Sequence, residues 1–268
     1  MNVTGDPLPQ DLAEALQAAG ERLSPFGRRI LFFDSIDSTN NVALAAAADG
    51  MLDMVVIADA QTAGRGRYGR TWHSPAGSGL YVSVVLGMPA EGGDASRVTS
   101  LLTLAAGVGL AEAIERVGVL RVSIKWPNDL IVSGRKVGGI LAERTAQPSS
   151  IILGFGLNVR AIEFPPALMD RATTLEVELG HTVDRAVLCA ASLVALSRRY
   201  HDLLAGRFDA ILDAWRQRAF QHEGASVAWR TPQGRHQGVT RGIDDDGALL
   251  VDVEGRLERI VGGELDWL

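Results

Sequence analysis

Residues 61–79 read Gln-Thr-Ala-Gly-Arg-Gly-Arg-Tyr-Gly-Arg-Thr-Trp-His-Ser-Pro-Ala-Gly-Ser-Gly. Arg65, Arg67 and Arg70 alternate with Gly64, Gly66 and Gly69 in a chain whose formal net charge is -6. Glycine lets backbone approach a ligand closely, and arginine offers planar, permanently charged forks for phosphate and carboxylate. A cationic loop on an acidic protein therefore predicts an anion site. The spacing Gly64-x-Gly66-x-x-Gly69 copies the dinucleotide fingerprint, but that fingerprint must open a helix directly after a strand. Here Val55-Val56-Ile57-Ala58 supplies the strand, and Thr71-Trp72-His73-Ser74-Pro75 follows in place of a helix. No Gly-Lys-Ser/Thr phosphate loop and no kinase partner motifs occur. Read alone, the stretch is either a ligand loop or a basic surface loop.

A second stretch narrows the choice. Lys125-Trp126-Pro127-Asn128-Asp129 closes a strand predicted from Arg121. Leu130 to Val132, a Ser133-Gly134-Arg135-Lys136 turn and Val137 to Glu143 then form a predicted hairpin. Upstream stands Asp37-Ser38-Thr39-Asn40, and downstream Gly154-Phe155-Gly156-Leu157-Asn158-Val159. In this order the Gly-Arg-Gly-Arg-x-Gly-Arg-x-Trp, Lys-Trp-Pro-Asn-Asp and Arg-Lys-x-x-Gly-Ile-Leu-x-Glu segments, with the two flanking ones, resemble biotin protein ligase. The resemblance runs from about residue 30 to the C-terminus.

It implies an α+β fold, a mixed β-sheet packed with helices of the class II synthetase-like biotin/lipoate ligase type. A small C-terminal SH3-like β-barrel completes it, with a catalytic unit at 1–222 and the barrel at 223–268. The implied activity is ATP-dependent attachment of biotin, through biotinyl-5′-AMP, to a lysine of biotin carboxyl carrier protein, with Mg2+ accompanying ATP. Carried over by position, Ser38, Thr39, Asn40 and Gln61 meet the biotin ring and its surroundings. Gly64, Arg65, Gly66 and Arg67 line the biotin tail and adenylate phosphate, and Lys136 neutralises carboxylate and α-phosphate. Gly138 and Gly139 allow close backbone approach. Arg70, Trp72, Lys125, Asn128 and Asn158 fall on the nucleotide side, Trp72 closing over adenine and Asn158 lying near the ribose. Asp129 orients magnesium or the incoming lysine. Without the resemblance, Ser38 to Asn40 read as a helix cap, Lys136 as a turn lysine and Trp72 as core. Lipoate protein ligase shares this chemistry and stays open as the alternative substrate class. The N-terminal 27 residues hold one predicted helix (Leu12, Ala15, Leu16, Ala19), too little for a winged-helix domain. The expectation is a monofunctional enzyme that binds neither DNA nor membrane, with a homodimer left open.

Composition agrees. Apolar residues make up 47% of 268 residues, enough for a large core with one large or a large and a small domain. The uncharged run Val98 to Ala111 is too short to cross a bilayer, and no signal-peptide pattern opens the chain, so a cytoplasmic protein is expected. Cys189 is the one cysteine, which excludes an internal disulfide and reads as core. The histidines show no zinc spacing. Further elements follow from periodicity. They are a strand at Ile30–Phe33, a helix after Ser38, a strand at Leu80–Leu86, a loop at Met88–Gly93, and a core helix from Ala95 capped by Asp94. A strand at 150–155, a helix capped by Asp184 and a helix around Trp215 come next. From Gly224, short apolar runs alternate with turns at Pro232-Gln233-Gly234, Asp244–Gly247 and Glu254-Gly255. Residues 160–180 show no pattern. Arg65, Arg67 and Arg70 have no carboxylate nearby in sequence, so the loop is expected to be mobile until a ligand supplies counter-charge.

Overall fold

The computed structural model describes residues 4–89, 94–118, 120–145, 150–231 and 234–268. The expected loop residues 90–93 and the turn residues 232–233 lie outside the described residues. Element order is α1 (Gln10–Ala19), β1 (Arg29–Ile36), α2 (Thr39–Ala48), β2 (Met54–Gln61), β3 (Gly79–Gly87) and α3 (Ala95–Gly118). Then come β4 (Ser123–Lys125), β5 (Asp129–Val132), β6 (Arg135–Arg144), β7 (Ser150–Asn158), α4 (Leu175–Leu179), α5 (Arg185–Leu204) and α6 (Phe208–Arg216). The C-terminal part holds β8 (Glu223–Thr231), β9 (Gly234–Ile243), β10 (Leu249–Val253), β11 (Arg256–Ile260) and β12 (Leu265–Trp267).

Seven strands form one sheet in the order β1-β2-β3-β7-β6-β5-β4. β1 and β2 run parallel with α2 as their crossover, and every other pairing is antiparallel. Alternation along a strand sends successive side chains to opposite faces. In β2, Val55 and Ile57 join the large core that includes α1, α3 and α5, while Met54 and Val56 join Val42, Ala43 and Ala46 of α2 on the other face. In β7, Ile151, Leu153, Phe155 and Leu157 face the large core, so Ile152, Gly154, Gly156 and Asn158 belong to the α2 face. Cross-strand pairs share a face, which joins Tyr81, Gly156 and Gly139 in one row, Ser83, Gly154 and Leu141 in the next, and Val85, Ile152 and Glu143 in a third.

α3 follows the expected period. It is long and apolar enough to cross a membrane by composition, yet 72% of its apolar window is buried inside the fold. Asp184 caps α5 as expected, its Oδ1 accepting from Val187 N at 3.0 Å. Cys189 is buried, and burial pushes its thiol up to about 12. β4 begins at Ser123 rather than Arg121, where its pairing with β5 begins, and Ile124 is also held by backbone bonds to Arg218 and Phe220. The β5–β6 turn is shorter than expected. Ser133 (φ 49) and Gly134 (φ 77) make it, and Arg135 and Lys136 are already strand. Residues 160–180 contain α4, with Thr174 as its cap, and residues 171–173 pair along β6 through Lys136 N to Arg171 O and Thr173 N to Lys136 O.

The C-terminal strands form a separate five-stranded antiparallel sheet, β11-β10-β9-β8-β12. β12 was not legible from the sequence. The Asp244–Asp246 turn holds Arg259 through two carboxylates. This sheet docks on the N-terminal part of the chain through Trp126, whose indole donates to Gly247 O at 2.9 Å. Gly247 has φ +79, and a Cβ there would lie 2.8 Å from Leu104 and 2.9 Å from Leu101 of α3. Gly247→Ala combines left-handed backbone strain with a clash at this contact and should cost about 2 kcal/mol. The thermal midpoint should fall by about 4–8 °C; an unchanged melting curve would remove Gly247 from the docking contact.

Candidate functional site

The α2 face of the central sheet is nearly bare of side chains where β6 and β7 meet. A Cβ on Gly154 would lie 2.1 Å from Asn40 Oδ1, one on Gly156 2.4 Å from Trp72 Nε1, and one on Gly139 3.1 Å from the Trp72 ring. Three glycines thus make a floor on which Asn40 and Trp72 rest, each filling the space that a side chain would take. Gly138 instead lies under Leu157 and Leu130, where it serves strand packing.

The N-terminus of α2 forms one wall. Ser38 is the N-cap residue, but its hydroxyl caps nothing. Asp37 holds the turn instead, accepting from Ser38 N and from Asn41 Nδ2. Thr39 N donates to Gln61 Oε1 at 2.9 Å, and Gln61 Nε2 donates to Ser74 Oγ at 2.9 Å. The Ser83 hydroxyl lies within hydrogen-bond distance of both Thr39 Oγ1 and Asn40 Oδ1. Ser38, Thr39 and Asn40 are all buried, so the cap residues point inward and form a polar cluster beneath the basic loop.

That loop has defined structure. Gly66 N to Arg70 O, Trp72 N to Gly64 O and Gln61 N to Ser74 O fold it back on itself, with Tyr68 (φ 57) and Gly69 (φ 71) at its tip. Gly64 is required because a Cβ would fall 2.5 Å from Trp72 O. Its arginines have no carboxylate nearby in sequence, and the fold supplies remote ones. Arg65 NH2 pairs with Glu143 at 2.5 Å, and Arg70 pairs with Glu264. Arg67 NH1 donates to Asn128 Oδ1 at 2.9 Å. The partners come from β6, from the β4–β5 turn and from the segment before β12, which a local reading cannot reach.

The β4–β5 turn brings Lys125 opposite Asp129 and locks Asn128 into β6 through Ile140 N to Asn128 O and Asn128 Nδ2 to Ile140 O. Lys136 Nζ lies 2.6 Å from Asp129 Oδ1 and 5.3 Å from the centre of the Trp72 ring. Asp129 Oδ1 is buried against that ammonium, and Trp72 Nε1 is a buried donor without a partner. One donor, the Trp72 indole, is therefore unsatisfied beside the glycine floor. Among the described residues no cluster of three acidic, His or Cys side chains could cage a metal. A single carboxylate, here shared with Lys136, suits a Mg2+ that keeps waters and phosphates as its other ligands.

Burial lowers the pKa of Lys125; Asp129 opposes this, Arg171 and Lys136 add to it, and Asp266 opposes it. Lys125 also sits 5.3 Å from the centre of the Trp267 ring on β12. A lysine with a lowered folded pKa binds its proton less tightly than in the unfolded chain. Its penalty is full below the folded pKa and fades as pH rises toward the ordinary lysine value, about 10.4. Lys125→Met should therefore melt no lower than the parent at neutral pH. The parent should close the gap as pH rises, as melts from neutral to alkaline pH would show; a lower-melting mutant at neutral pH would mean that Trp267 and Asp129 outweigh the burial cost.

A cleft of about 200 Å3 adjoins Arg67 and Asn128, with Trp126, Gly247 and Val261 on its far side. A larger groove of about 740 Å3 lies between α1, α3 and α5, on the opposite face, and none of the five sequence motifs reaches it. Asn158 is buried, its amide donating to Thr173 O at 3.1 Å. It supports the 171–173 segment that pairs with Lys136 and does not line the cleft. Trp72 lies on the floor beneath Lys136. Sequence reading missed Ser83, Gly154, Gly156, Arg171 and Glu143. The alternate glycines of β7 and the last residue of the Gly-Ile-Leu-x-Glu segment were the available signals.

Comparison with known proteins matches residues 32–158 to the Biotin/lipoate A/B protein ligase family and residues 224–266 to the Biotin protein ligase C terminal domain. The bifunctional ligase/repressor BirA of Bacillus spizizenii is 34% identical over 266 residues, covering 96% of this chain and 80% of that protein. The biotin–[acetyl-CoA-carboxylase] ligase of Mycobacterium tuberculosis is 35% identical over 238 residues, 85% of each chain. The structure of biotin protein ligase from Aquifex aeolicus in complex with biotin and ATP superposes with a TM-score of 0.78 at 29% identity, covering 90% of this chain and 99% of that one.

Proposed function

This chain belongs to the biotin/lipoate A/B protein ligase family, and from that premise we propose how its own residues carry out ATP-dependent biotinylation. A carboxylate oxygen of biotin attacks the α-phosphorus of ATP. The bond to the bridging oxygen breaks and pyrophosphate leaves, giving biotinyl-5′-AMP. The ε-amine of a lysine on a biotin carboxyl carrier protein then attacks the acyl carbon. AMP departs with its oxygen, and the amide forms with loss of a proton. The observation that carries this reading is the convergence of five separated sequence segments on one side-chain-free floor, with cations on its rim.

The substrate's ureido group offers one carbonyl and two N–H groups. Ser38, Thr39 and Asn40, buried beside Ser83, and the half-buried Gln61 present hydroxyls and amides to match. Gly64, Gly66 and Gly139 keep the walls thin enough for backbone to approach the valeryl chain. Arg65 and Arg67 close over the carboxylate and α-phosphate, and Lys136 adds a third cation where the two anions meet. Fixed positive charge at that point is worth most where water is excluded. No nucleophilic side chain is required; proximity and charge carry the rate.

Lys125, Asn128 and Arg70 serve the nucleotide side, with Trp72 beneath and Asn158 behind, and the cleft beside Arg67 and Asn128 lies in the same quarter. Mg2+ supplies charge neutralisation to the triphosphate when bound, and Asp129, whose carboxylate is shared with Lys136, is the residue that would hold it. We place the boundary between the catalytic and C-terminal units at residues 222–223. The polar wall favours biotin over lipoate, whose dithiolane ring has no donor or acceptor to satisfy Asn40 and Thr39. Pyrophosphate release with Mg-ATP should need biotin; equal release with lipoate would replace this substrate class by the other.

A further inference from the structure

We infer that Glu143 is a positioning residue for the biotin step, a carboxylate strut that sets both Asn40 and Arg65 from a single strand position. The inference rests on the placement of Asn40 and Arg65 in the biotin pocket. Strand pairing puts Glu143 in the row with Ile152 and Val85, on the same face as Gly154 and α2. From there one oxygen accepts from Asn40 Nδ2 at 2.6 Å and the other from Arg65 NH2 at 2.5 Å. Arg65 NH1 reaches Asn41 Oδ1 at 2.8 Å, so its fork is held at two points.

The strut has two consequences. It fixes the orientation of the Asn40 amide. The NH2 end is committed to Glu143 and the oxygen turned toward Ser83, with Gly154 leaving no room for the group to settle deeper. It also ties the basic loop to the sheet before any anion binds, across a sequence separation of 78 residues. A glutamine cannot do both, because its amide has one accepting oxygen where the carboxylate has two. Charge-assisted bonds are also stronger than neutral ones. Glu143 touches no reacting atom, so its effect falls on ligand placement.

The test is Glu143→Gln in the full chain, with pyrophosphate release and limited trypsin digestion as readouts. The expected result is a biotin KM raised about tenfold with kcat changed less than about threefold, and a melting midpoint within a few degrees of the parent. In the free protein, cleavage after Arg65, Arg67 and Arg70 should be several-fold faster, since proteolysis tracks the population of the opened loop. Should Glu143→Gln fail to fold, Arg65→Lys keeps the charge but loses the fork, and it should speed cleavage after Arg67 and Arg70. Unchanged KM and unchanged cleavage would overturn the inference. So would a lowered KM, which would make Glu143 a restraint, or a parallel fall of KM performance, kcat and melting midpoint, which would make it merely structural. If the parent protein released no pyrophosphate with biotin, the biotin assignment would fail, while the digestion would still decide whether Glu143 holds the loop.

Discussion

Lys136→Met should abolish most adenylate formation, lowering kcat/KM for pyrophosphate release by about a hundred- to a thousandfold, in a protein that stays folded. The lysine stands on β6 one residue beyond a tight two-residue turn, so its backbone is fixed by Arg171 O on one side and by β5 on the other. Its ammonium has two neighbours, the Asp129 carboxylate and the face of Trp72. Both Lys136 and Asp129 are about a third exposed or less, 32% and 26%, and a pair so near solvent contributes no more than about 1 kcal/mol to stability. Stability and activity should therefore separate cleanly. A structural lysine would give the reverse pattern, a lower melting midpoint with activity retained, and release within threefold of the parent would remove Lys136 from the chemistry.

Gly154→Ala should lower biotin affinity by about a hundredfold, through one methyl group that touches no ligand. The new Cβ would stand 2.1 Å from Asn40 Oδ1 and 2.9 Å from its Cγ, far inside contact distance. Asn40 cannot retreat, since Glu143 and Ser83 hold both ends of its amide. It must rotate into the space that the ureido ring needs, or β7 must shift. Overpacking of this kind costs about 1–3 kcal/mol of stability. The hundredfold loss of affinity, about 2.7 kcal/mol, is at the upper end of that range, because a polar pocket rejects a ligand it cannot pair with. Calorimetric titration measures the affinity, and the thermal upshift given by saturating biotin should shrink in step. Native affinity in Gly154→Ala would mean that Asn40 lies outside the ligand site.

The motifs were legible because each is a local solution to a local problem. Glycines stand where backbones approach, a helix starts after Ser38, and a tight turn precedes Lys136. The helical periods of α3 and α5 were equally plain, since each has one face on the sheet. What the sequence withheld is pairing across distance. Glu143 reads as the polar end of a strand until β6 and β7 are aligned and Asn40 is laid on Gly154. Arg65 and Arg70 read as unpaired because Glu143 and Glu264 are remote in the chain. Residues 171–173 show no period because they add to β6 by backbone bonds alone, and β12 is too short to alternate. Ser83 reads as a break in an apolar strand, yet it sits at the junction of Thr39 and Asn40.

The central claim is that this face of the sheet adenylates biotin and passes it to a lysine. Incubation with biotin, Mg-ATP and a biotin carboxyl carrier domain, followed by intact-mass and peptide mass spectrometry of the carrier, tests it most directly. The account predicts one biotinyl group per carrier on a single lysine, formed only when ATP is present and lost with Lys136→Met. A carrier of unchanged mass, or the same modification by the Lys136→Met protein, would contradict it.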